Sequence, residues 1–156
     1  MLVEATDDSF EALIGGVAPP GLRIPEGGVE ANEVLQMLQG LARSIRQHIS
    51  PASWLIVADG EIVGLCSITK AFPTAGTVEI GYGLAQGRRG RGHAAAAVAE
   101  LLDWARSVPS IAAVTANTAV DNLPSQRVLE RNGFIRIGGK IDPEDGPLIC
   151  WRVDVD

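Results

Sequence analysis

At 156 residues, with 46% hydrophobic and 21% charged residues, the chain is typical of one soluble domain with a single core, covering residues 1–156. A formal net charge of -6 makes the whole molecule repel nucleic acid and anionic membranes, and no apolar run is long enough to span a bilayer. Residues 1–8 lack the basic and apolar segments of a signal peptide, so we expect a cytoplasmic protein without a nucleic-acid or membrane partner.

The first third of the chain predicts a short strand followed by two helices. Residues 2–6 favour the strand, and an aspartate, Asp7 or Asp8, is expected to cap the first helix. A long loop over residues 15–28 follows, and loops of this length in compact domains are usually functional. Apolar residues recur every three or four positions over residues 32–48, which predicts an amphipathic second helix.

The middle of the chain changes to short apolar runs that are typical of strands. The predicted strands cover residues 54–58, 62–68 and 77–84. A tight turn of Asp59 and Gly60 joins the first two strands, and the short connections predict an antiparallel meander. A turn rich in glycine and arginine, residues 86–93, then leads into a helix over residues 92–106.

The last third predicts one more helix and three more strands. The strands cover residues 111–117, 134–140 and 148–155, with the helix over residues 122–131. Because hairpins come first and a β-α-β-α-β-β order follows, we expect an α+β (mixed α/β) fold. Its central twisted sheet should be mostly antiparallel, with about six to seven strands flanked by about four helices. The exposed edges of such a sheet are compatible with a homodimer without requiring one.

The turn at residues 86–93 is the most informative segment for function. Glycines let backbone N–H groups approach a ligand closely, and arginines supply forked donors suited to phosphate. The following alanine-rich helix adds unpaired first-turn N–H groups and the positive end of its dipole, so the segment predicts a pyrophosphate site. The alternative is a basic surface turn that binds nothing. The candidate ligand-binding residues here are Arg88, Arg89, Gly90, Arg91, Gly92, His93 and Ala94.

The strand before this turn contains two glycines, Gly81 and Gly83, which mark either a close approach of a ligand or tight packing against a helix. A chain-like ligand could lay an amide-containing arm along this strand and its phosphates on the turn, and coenzyme A has this shape. The turn also fits the dinucleotide fingerprint G-x-G-x-x-G/A. The preceding hairpins and the intervening residues 86–89 disfavour a Rossmann site, so a dinucleotide-dependent oxidoreductase is a distant third hypothesis.

A second motif, Asn122-x-x-Ser125, begins a helix that Asn132-Gly133 ends, and Phe134 follows. Together with Arg89-Gly90-Arg91-Gly92-His93-Ala94, which fits the pattern Q/R-x-x-G-x-G/A, it resembles the GNAT superfamily of acetyl-CoA-dependent N-acetyltransferases. A shifted register over residues 87–92 is the alternative for the phosphate pattern. The segment Ile80-Gly81-Tyr82 is similar to one found in the branch containing ribosomal-protein N-terminal acetyltransferases.

The resemblance implies that acetyl-CoA is the acyl donor and that a primary amine, in a small molecule or at a protein N-terminus, attacks it directly in a ternary complex. Acetyl-CoA would lie in a splayed gap between the strands at 77–84 and 111–117. Backbone amides in the first of these strands would hold the pantetheine arm and polarise the thioester carbonyl. The residues that the resemblance adds to the coenzyme A site are Gly81, Tyr82, Gly83, Leu84, Asn122 and Ser125.

Two residues are candidates for proton transfer. Glu79 is the candidate general base, acting directly or through water, and its alternative is an exposed strand carboxylate. In many relatives a tyrosine on the helix after the fifth strand protonates the leaving thiolate. The matching region here offers Ser125 instead, so Ser125 or a water would serve. A non-catalytic coenzyme A-binding or protein-interaction module is the competing class of function.

The two cysteines, Cys66 and Cys150, are far apart in sequence and lack a metal-ligand spacing. We expect buried free thiols in a reducing compartment rather than a disulfide. No group of histidines, cysteines and carboxylates indicates a metal site, so none is assigned.

Overall fold

Seven strands and four helices make up the fold, and the computed structural model describes them over all residues from Met1 to Asp156. In chain order the elements are β1 (Leu2–Glu4), α1 (Asp7–Ile14), α2 (Asn32–Ile45), β2 (Ser53–Ala58), β3 (Glu61–Ala71), β4 (Thr77–Leu84), α3 (His93–Arg106), β5 (Ala113–Ala119), α4 (Leu123–Arg131), β6 (Ile135–Asp142) and β7 (Gly146–Asp154). The predicted α+β class is confirmed.

All seven strands form one sheet in the order β1-β2-β3-β4-β5-β7-β6. Strands β1 to β4 pair antiparallel in sequence order, so the predicted meander is confirmed. Only β4 and β5 run parallel, and α3 provides the crossover that a parallel pair requires. The outer strands are β1 and β6.

Helix α1 is capped by Thr6, so the predicted cap at Asp7 or Asp8 is wrong. The Thr6 hydroxyl accepts a hydrogen bond from the Ser9 N–H, and the Ser9 hydroxyl accepts one from the Thr6 N–H. This reciprocal capping box satisfies two donors at once, which a single aspartate one position later does not. The two aspartates lie in the first turn, where the helix dipole favours negative charge.

Several element ends differ from the sequence-based expectation by two or three residues. Helix α2 ends at Ile45 rather than at residue 48, because residues 46–49 tighten into turns, as the His48 N–H to Ile45 carbonyl bond shows. Strand β3 continues to Ala71, beyond residue 68. Strand β5 begins at Ala113 rather than at residue 111, because the Ala112 and Ala113 N–H groups both bond the Gly76 carbonyl.

The loop before α2 is anchored to the turn between β2 and β3. The Arg23 N–H bonds the Gly60 carbonyl at 2.8 Å, and the Ile62 N–H bonds the Arg23 carbonyl at 2.9 Å. The Arg23 guanidinium donates to the Asp59 carbonyl at 2.6 Å. The long loop is therefore held by the same hairpin turn that carries Glu61.

The two cysteines differ in how deeply they are buried. Cys66 is fully buried in the core, and burial raises the pKa of its thiol to about 12. Cys150 is half-buried rather than buried, because it pairs with Gly138 of the outer strand, which offers no side chain to cover it. Both thiols are free.

None of the helices combines the length and the apolar character needed to cross a bilayer. No group of three or more histidine, cysteine, aspartate or glutamate side chains is arranged to hold a metal ion.

Candidate functional site

Strands β4 and β5 separate halfway along β4. Their pairing runs from Thr77 with Ala113 to Ile80 with Ala116, and the rest of β4 has no partner in β5. On its other side β4 stays paired with β3 as far as Leu84. A gap therefore opens between these two strands, where the resemblance placed it.

Gly64 on β3 allows β4 to lie very close at this point. A Cβ added to Gly64 would overlap the Gly83 carbonyl oxygen and would lie 2.9 Å from the Leu84 Cδ2 atom. Only a glycine fits such a close approach of two backbones.

A cavity of about 680 Å³, the main cavity, begins at this gap and extends to the N-terminal ends of α3 and α4. Its walls come from β4, the turn after it, α3, and α4 with its cap. The residues are Tyr82, Gly83, Leu84, Arg89, Gly90, Gly92, Ala94, Ala95, Asn122, Pro124, Ser125, Arg127, Val128 and Arg131. Most of the residues assigned to the coenzyme A site from the sequence thus share one cavity.

Two glycines shape the turn that forms one end of the main cavity. Gly90 has φ of +79° and Gly92 has φ of +81°, in the left-handed region that favours glycine. A Cβ at either position would meet no atom within 4 Å, so backbone conformation rather than crowding requires glycine there. Gly92 is the N-cap of α3, and no side chain caps this helix. The first-turn N–H groups and the helix dipole therefore suit an anionic ligand.

The arginines of this turn do not all point the same way. Arg89 lines the main cavity, whereas Arg91 and His93 are not among its wall residues. Arg88 instead binds Glu61, with 2.5 Å from Nε to Oε1 and 3.1 Å from Nη2 to Oε2. The Arg88 guanidinium holds the pKa of Glu61 below its usual range. Arg88 thus connects the turn to the hairpin between β2 and β3.

Two arginines that the sequence analysis did not single out face the turn across the main cavity. Arg127 and Arg131 lie one turn apart on α4, and both line the cavity. Their spacing of four residues puts them on one helix face, and this spacing is the signal that could have identified them. With Arg89 they make this end of the cavity positively charged.

Two hydroxyl groups meet where β4 faces α4. The Tyr82 hydroxyl lies 2.8 Å from the Ser125 hydroxyl oxygen, and it also lies 3.3 Å from the Ser125 carbonyl. Burial raises the pKa of Tyr82, partly offset by the Ser125 hydrogen bond, so the phenol keeps its proton. The Asn122 side chain caps α4 by accepting from the Ser125 N–H at 3.2 Å. A phenol thus reaches Ser125 from β4, although the matching region of α4 contains no tyrosine.

Glu79 is held by one hydrogen bond on each carboxylate oxygen. Thr69 donates to Oε2 at 2.9 Å, and Asn117 on β5 donates to Oε1 at 3.1 Å. The residue is half-buried rather than exposed. Successive strand residues point to opposite faces, so Glu79 lies on the sheet face opposite Tyr82. Neither Thr69 nor Asn117 carries a local sequence signal that links it to Glu79.

A smaller cavity of about 200 Å³, the side cavity, lies between α2 and the sheet. Its lining residues are Val29, Glu30, Val34, Leu38, Leu65, Ser67, Thr69, Gly81, Tyr82 and Gly83. Two of these, Tyr82 and Gly83, also line the main cavity. The two cavities therefore meet at β4.

The seven-stranded α+β fold thus has two cavities that adjoin at β4, one on the side of α3 and α4 and one on the side of α2. One cavity is long and positively charged at one end, and the other is small and mostly apolar. The family model described as an acetyltransferase (GNAT) domain matches residues 24–135. The chain belongs to the GNAT acetyltransferase family, as its motifs indicated.

Two curated relatives are named as N-acetyltransferases. The uncharacterized N-acetyltransferase YjdG of Bacillus subtilis (strain 168) is 36% identical over 85 residues, which are 53% of this chain and 51% of that protein. The uncharacterized N-acetyltransferase p20 of Bacillus licheniformis is 27% identical over 109 residues, 70% of this chain and 60% of that protein. The chain thus spans about half to three fifths of the length of the curated relatives it matches.

Among solved structures, the ribosomal L7/L12 alpha-N-protein acetyltransferase RimL in complex with coenzyme A has a TM-score of 0.75 and 20% identity. The similarity covers 99% of this chain and 93% of that chain. At this identity it establishes the fold, and the expected GNAT-like architecture is confirmed.

Proposed function

We propose that the chain transfers the acetyl group of acetyl-CoA to a primary amine by direct attack while both substrates are bound. The observation that carries this proposal is the main cavity, which joins the gap between β4 and β5 to the glycine-arginine turn. Family membership supports the same donor. The acceptor is an amine of a small molecule or of a protein N-terminus, and RimL, named for a ribosomal protein, is an example of the second kind.

The residues of the main cavity fit the two ends of coenzyme A. Gly90 and Gly92 leave open space where a side chain would stand, and α3 contributes N–H donors beside them. Arg89, Arg127 and Arg131 add charge for the phosphates. At the other end, the β4 backbone beyond Ile80 has no β5 partner, so its free polar groups are available to the amides of the pantetheine arm.

The remaining sequence candidates take other parts in this proposal. Arg88 supports the turn through Glu61 rather than touching the phosphates. Arg91 and His93 lie beside the cavity, where Arg91 contributes local positive charge and both residues contribute backbone. Gly81 lines the side cavity, on the acceptor side of β4.

Bound acetyl-CoA would supply the activated thioester. The β4 N–H groups that face the gap would polarise its carbonyl, because they are fixed in place before the reaction. Glu79, held by Thr69 and Asn117, would accept the amine proton through a water molecule. On the opposite face the Tyr82 hydroxyl, in contact with Ser125, would donate a proton to the departing sulfur. The raised pKa of Tyr82 keeps that proton available at neutral pH.

We also propose that the protein works in the cytoplasm without nucleic-acid or membrane partners, which fits its net charge of -6. The outer strand β6 exposes three isoleucines, Ile135, Ile137 and Ile141, and this edge is compatible with a homodimer.

Substitution of the turn glycines tests the donor site. In Gly90→Glu and Gly92→Glu a carboxylate enters the phosphate end, and we expect coenzyme A affinity to fall by about 100-fold or more. Gly87→Glu is the matched control. It adds the same charge to the same turn, but its φ is not left-handed and it does not line the cavity. We expect it to change affinity by less than about threefold.

The measurements are calorimetric titration with coenzyme A and thiol release from acetyl-CoA over a panel of amines. Unchanged affinity in both Gly90→Glu and Gly92→Glu would contradict the proposed donor site. Coenzyme A binding by the wild-type chain without thiol release from any amine would instead indicate the non-catalytic module.

A further inference from the structure

We infer that the acceptor is a compact primary amine with an apolar body and no carboxylate, selected by the side cavity, with Glu30 as a specificity-determining residue. The inference rests on the proposed function, because it assigns the side cavity to the amine. It adds the substrate class, which family membership leaves open.

The side cavity is placed to deliver an amine to the donor. It shares Tyr82 and Gly83 with the main cavity, and it lies on the α2 side of the same strand. A Cβ at Gly83 would meet no atom within 4 Å, so open space lies at the point where the cavities meet. Thr69, which lines the side cavity, donates the hydrogen bond that holds Glu79 Oε2. The candidate base is therefore directly behind the wall of the side cavity.

The size and lining of the side cavity favour a small apolar body. Its volume of about 200 Å³ lies below the roughly 300–1,000 Å³ of sites that take drug-sized ligands. Val29, Val34, Leu38 and Leu65 supply four aliphatic side chains to its walls. Glu30 is the one carboxylate among the lining residues and can partner one ammonium group, so the second ammonium group of a polyamine would lose hydration against the aliphatic walls without a partner of its own.

The one charged residue among the lining residues of the side cavity is acidic. Glu30 lies in its wall, Glu79 lies behind Thr69, and no arginine or lysine is among the lining residues. The Glu30 carboxylate accepts a hydrogen bond from the Ala31 N–H at 3.0 Å, which orients it at the start of α2. An ammonium group is therefore attracted, whereas a carboxylate on the acceptor is repelled. A free amino acid is disfavoured, and its amide, a short monoamine or the first residue of a peptide is favoured.

Rates of thiol release over a matched panel of amines test this inference. We expect kcat/KM for alaninamide to exceed that for free alanine, spermidine and kanamycin by about tenfold or more. Isobutylamine and a peptide with N-terminal alanine separate the two sources of the same chemistry. A kcat/KM for isobutylamine that is at least as high as that for the peptide indicates a small-molecule acceptor, whereas a higher kcat/KM for the peptide indicates a protein N-terminus.

Two variants with matched controls test whether residues of the side cavity select the acceptor. Val34→Trp fills the side cavity, and we expect the acceptor KM to rise about tenfold or more with coenzyme A affinity unchanged. Met37→Trp is its control, because Met37 lies on the same helix, is 60% exposed and does not line the cavity. Glu30→Lys should reduce the preference for alaninamide over alanine about tenfold. Glu33→Lys, in the first turn of α2 and outside the cavity, should leave this preference unchanged.

The outcomes separate the inference from the proposed function. Higher kcat/KM for alanine, spermidine or kanamycin than for alaninamide, or Val34→Trp kinetics equal to wild type, would overturn the inference while acetyl transfer stands. Coenzyme A binding without thiol release from any amine would overturn both.

Discussion

Replacement of Gly64 by alanine tests whether the close approach of β3 and β4 requires glycine at this position. The new Cβ would overlap the Gly83 carbonyl oxygen and would lie 3.1 Å from the Leu84 Cα atom. Both atoms belong to the backbone, so the strain cannot be relieved by rotating a side chain. Overpacking of this kind costs about 1–3 kcal/mol, and we expect the upper end because backbone must move. For a domain of this size the melting temperature should fall by roughly 6–12 °C.

Gly83→Ala is the matched control on the partner strand. Its Cβ would meet no atom within 4 Å and its φ is not left-handed, so the fold should tolerate it. The loss of unfolded-state entropy makes its stability equal to wild type or higher by about 0.4–1 kcal/mol. Its methyl group nevertheless stands where the two cavities meet, so coenzyme A affinity should fall.

Scanning calorimetry without ligand gives the melting temperatures, and calorimetric titration gives the coenzyme A affinities. The reasoning predicts a separation, in which Gly64→Ala loses stability and Gly83→Ala loses affinity while keeping stability. A Gly64→Ala melting temperature close to that of wild type, or equal losses of stability in the two variants, would refute it.

Two further predictions concern side-chain contacts. Tyr82→Phe should lower kcat about 100-fold with little change in coenzyme A affinity. Because burial raises the pKa of Tyr82, the donor form is lost only as pH rises through that raised pKa. The alkaline limb of the wild-type kcat profile should therefore lie above the usual range of tyrosine, and an unchanged kcat would assign the proton to another donor. Glu61→Gln and Arg88→Gln should each weaken coenzyme A binding about fivefold, and the exchanged pair Glu61→Arg with Arg88→Glu should recover most of it. Since Arg88 lowers the pKa of Glu61, the stability that the pair contributes is present above the usual carboxyl range and is lost as pH falls through the lowered pKa. Melting curves of wild type and Glu61→Gln should therefore converge in acid, and equal affinities at neutral pH would show that the pair does not support the turn.

The parts of the fold with strong local signals could be predicted from the sequence. Strand β4 has the bounds expected from its apolar run, and α4 begins after Asn122, as the cap residue indicates. The sequence places the cap of α1 at Asp7 or Asp8, one or two residues too late, because aspartate and threonine are both good caps and only the reciprocal bond with Ser9 decides between them. The start of β5 depends on Gly76, which is distant in sequence, and no local pattern reports it.

The candidate site likewise contains parts that the sequence could predict and parts that it could not. Glycines that lie within a few residues of each other in one turn could be recognised together, because the motif that contains them is continuous. The contact between Tyr82 and Ser125 spans 43 residues, and Arg88 reaches Glu61 across 27 residues. Such contacts depend on the strand order and on side-chain direction, neither of which a one-dimensional pattern contains. Of the three arginines that this turn offers as phosphate ligands, the side-chain directions leave Arg89 lining the main cavity.

The hairpin turn between β2 and β3 is hydrogen-bonded to segments that lead to both cavities. Through Arg23 it holds the loop that leads to Glu30, and through Glu61 it holds Arg88 and the glycine-arginine turn. If occupation of one cavity shifts this hairpin, the effect on the other ligand is a coupling free energy, and thermodynamic linkage makes it equal in both directions. The factor by which coenzyme A changes acceptor affinity must then equal the factor by which acceptor changes coenzyme A affinity, and the order in which the two ligands bind cannot alter it.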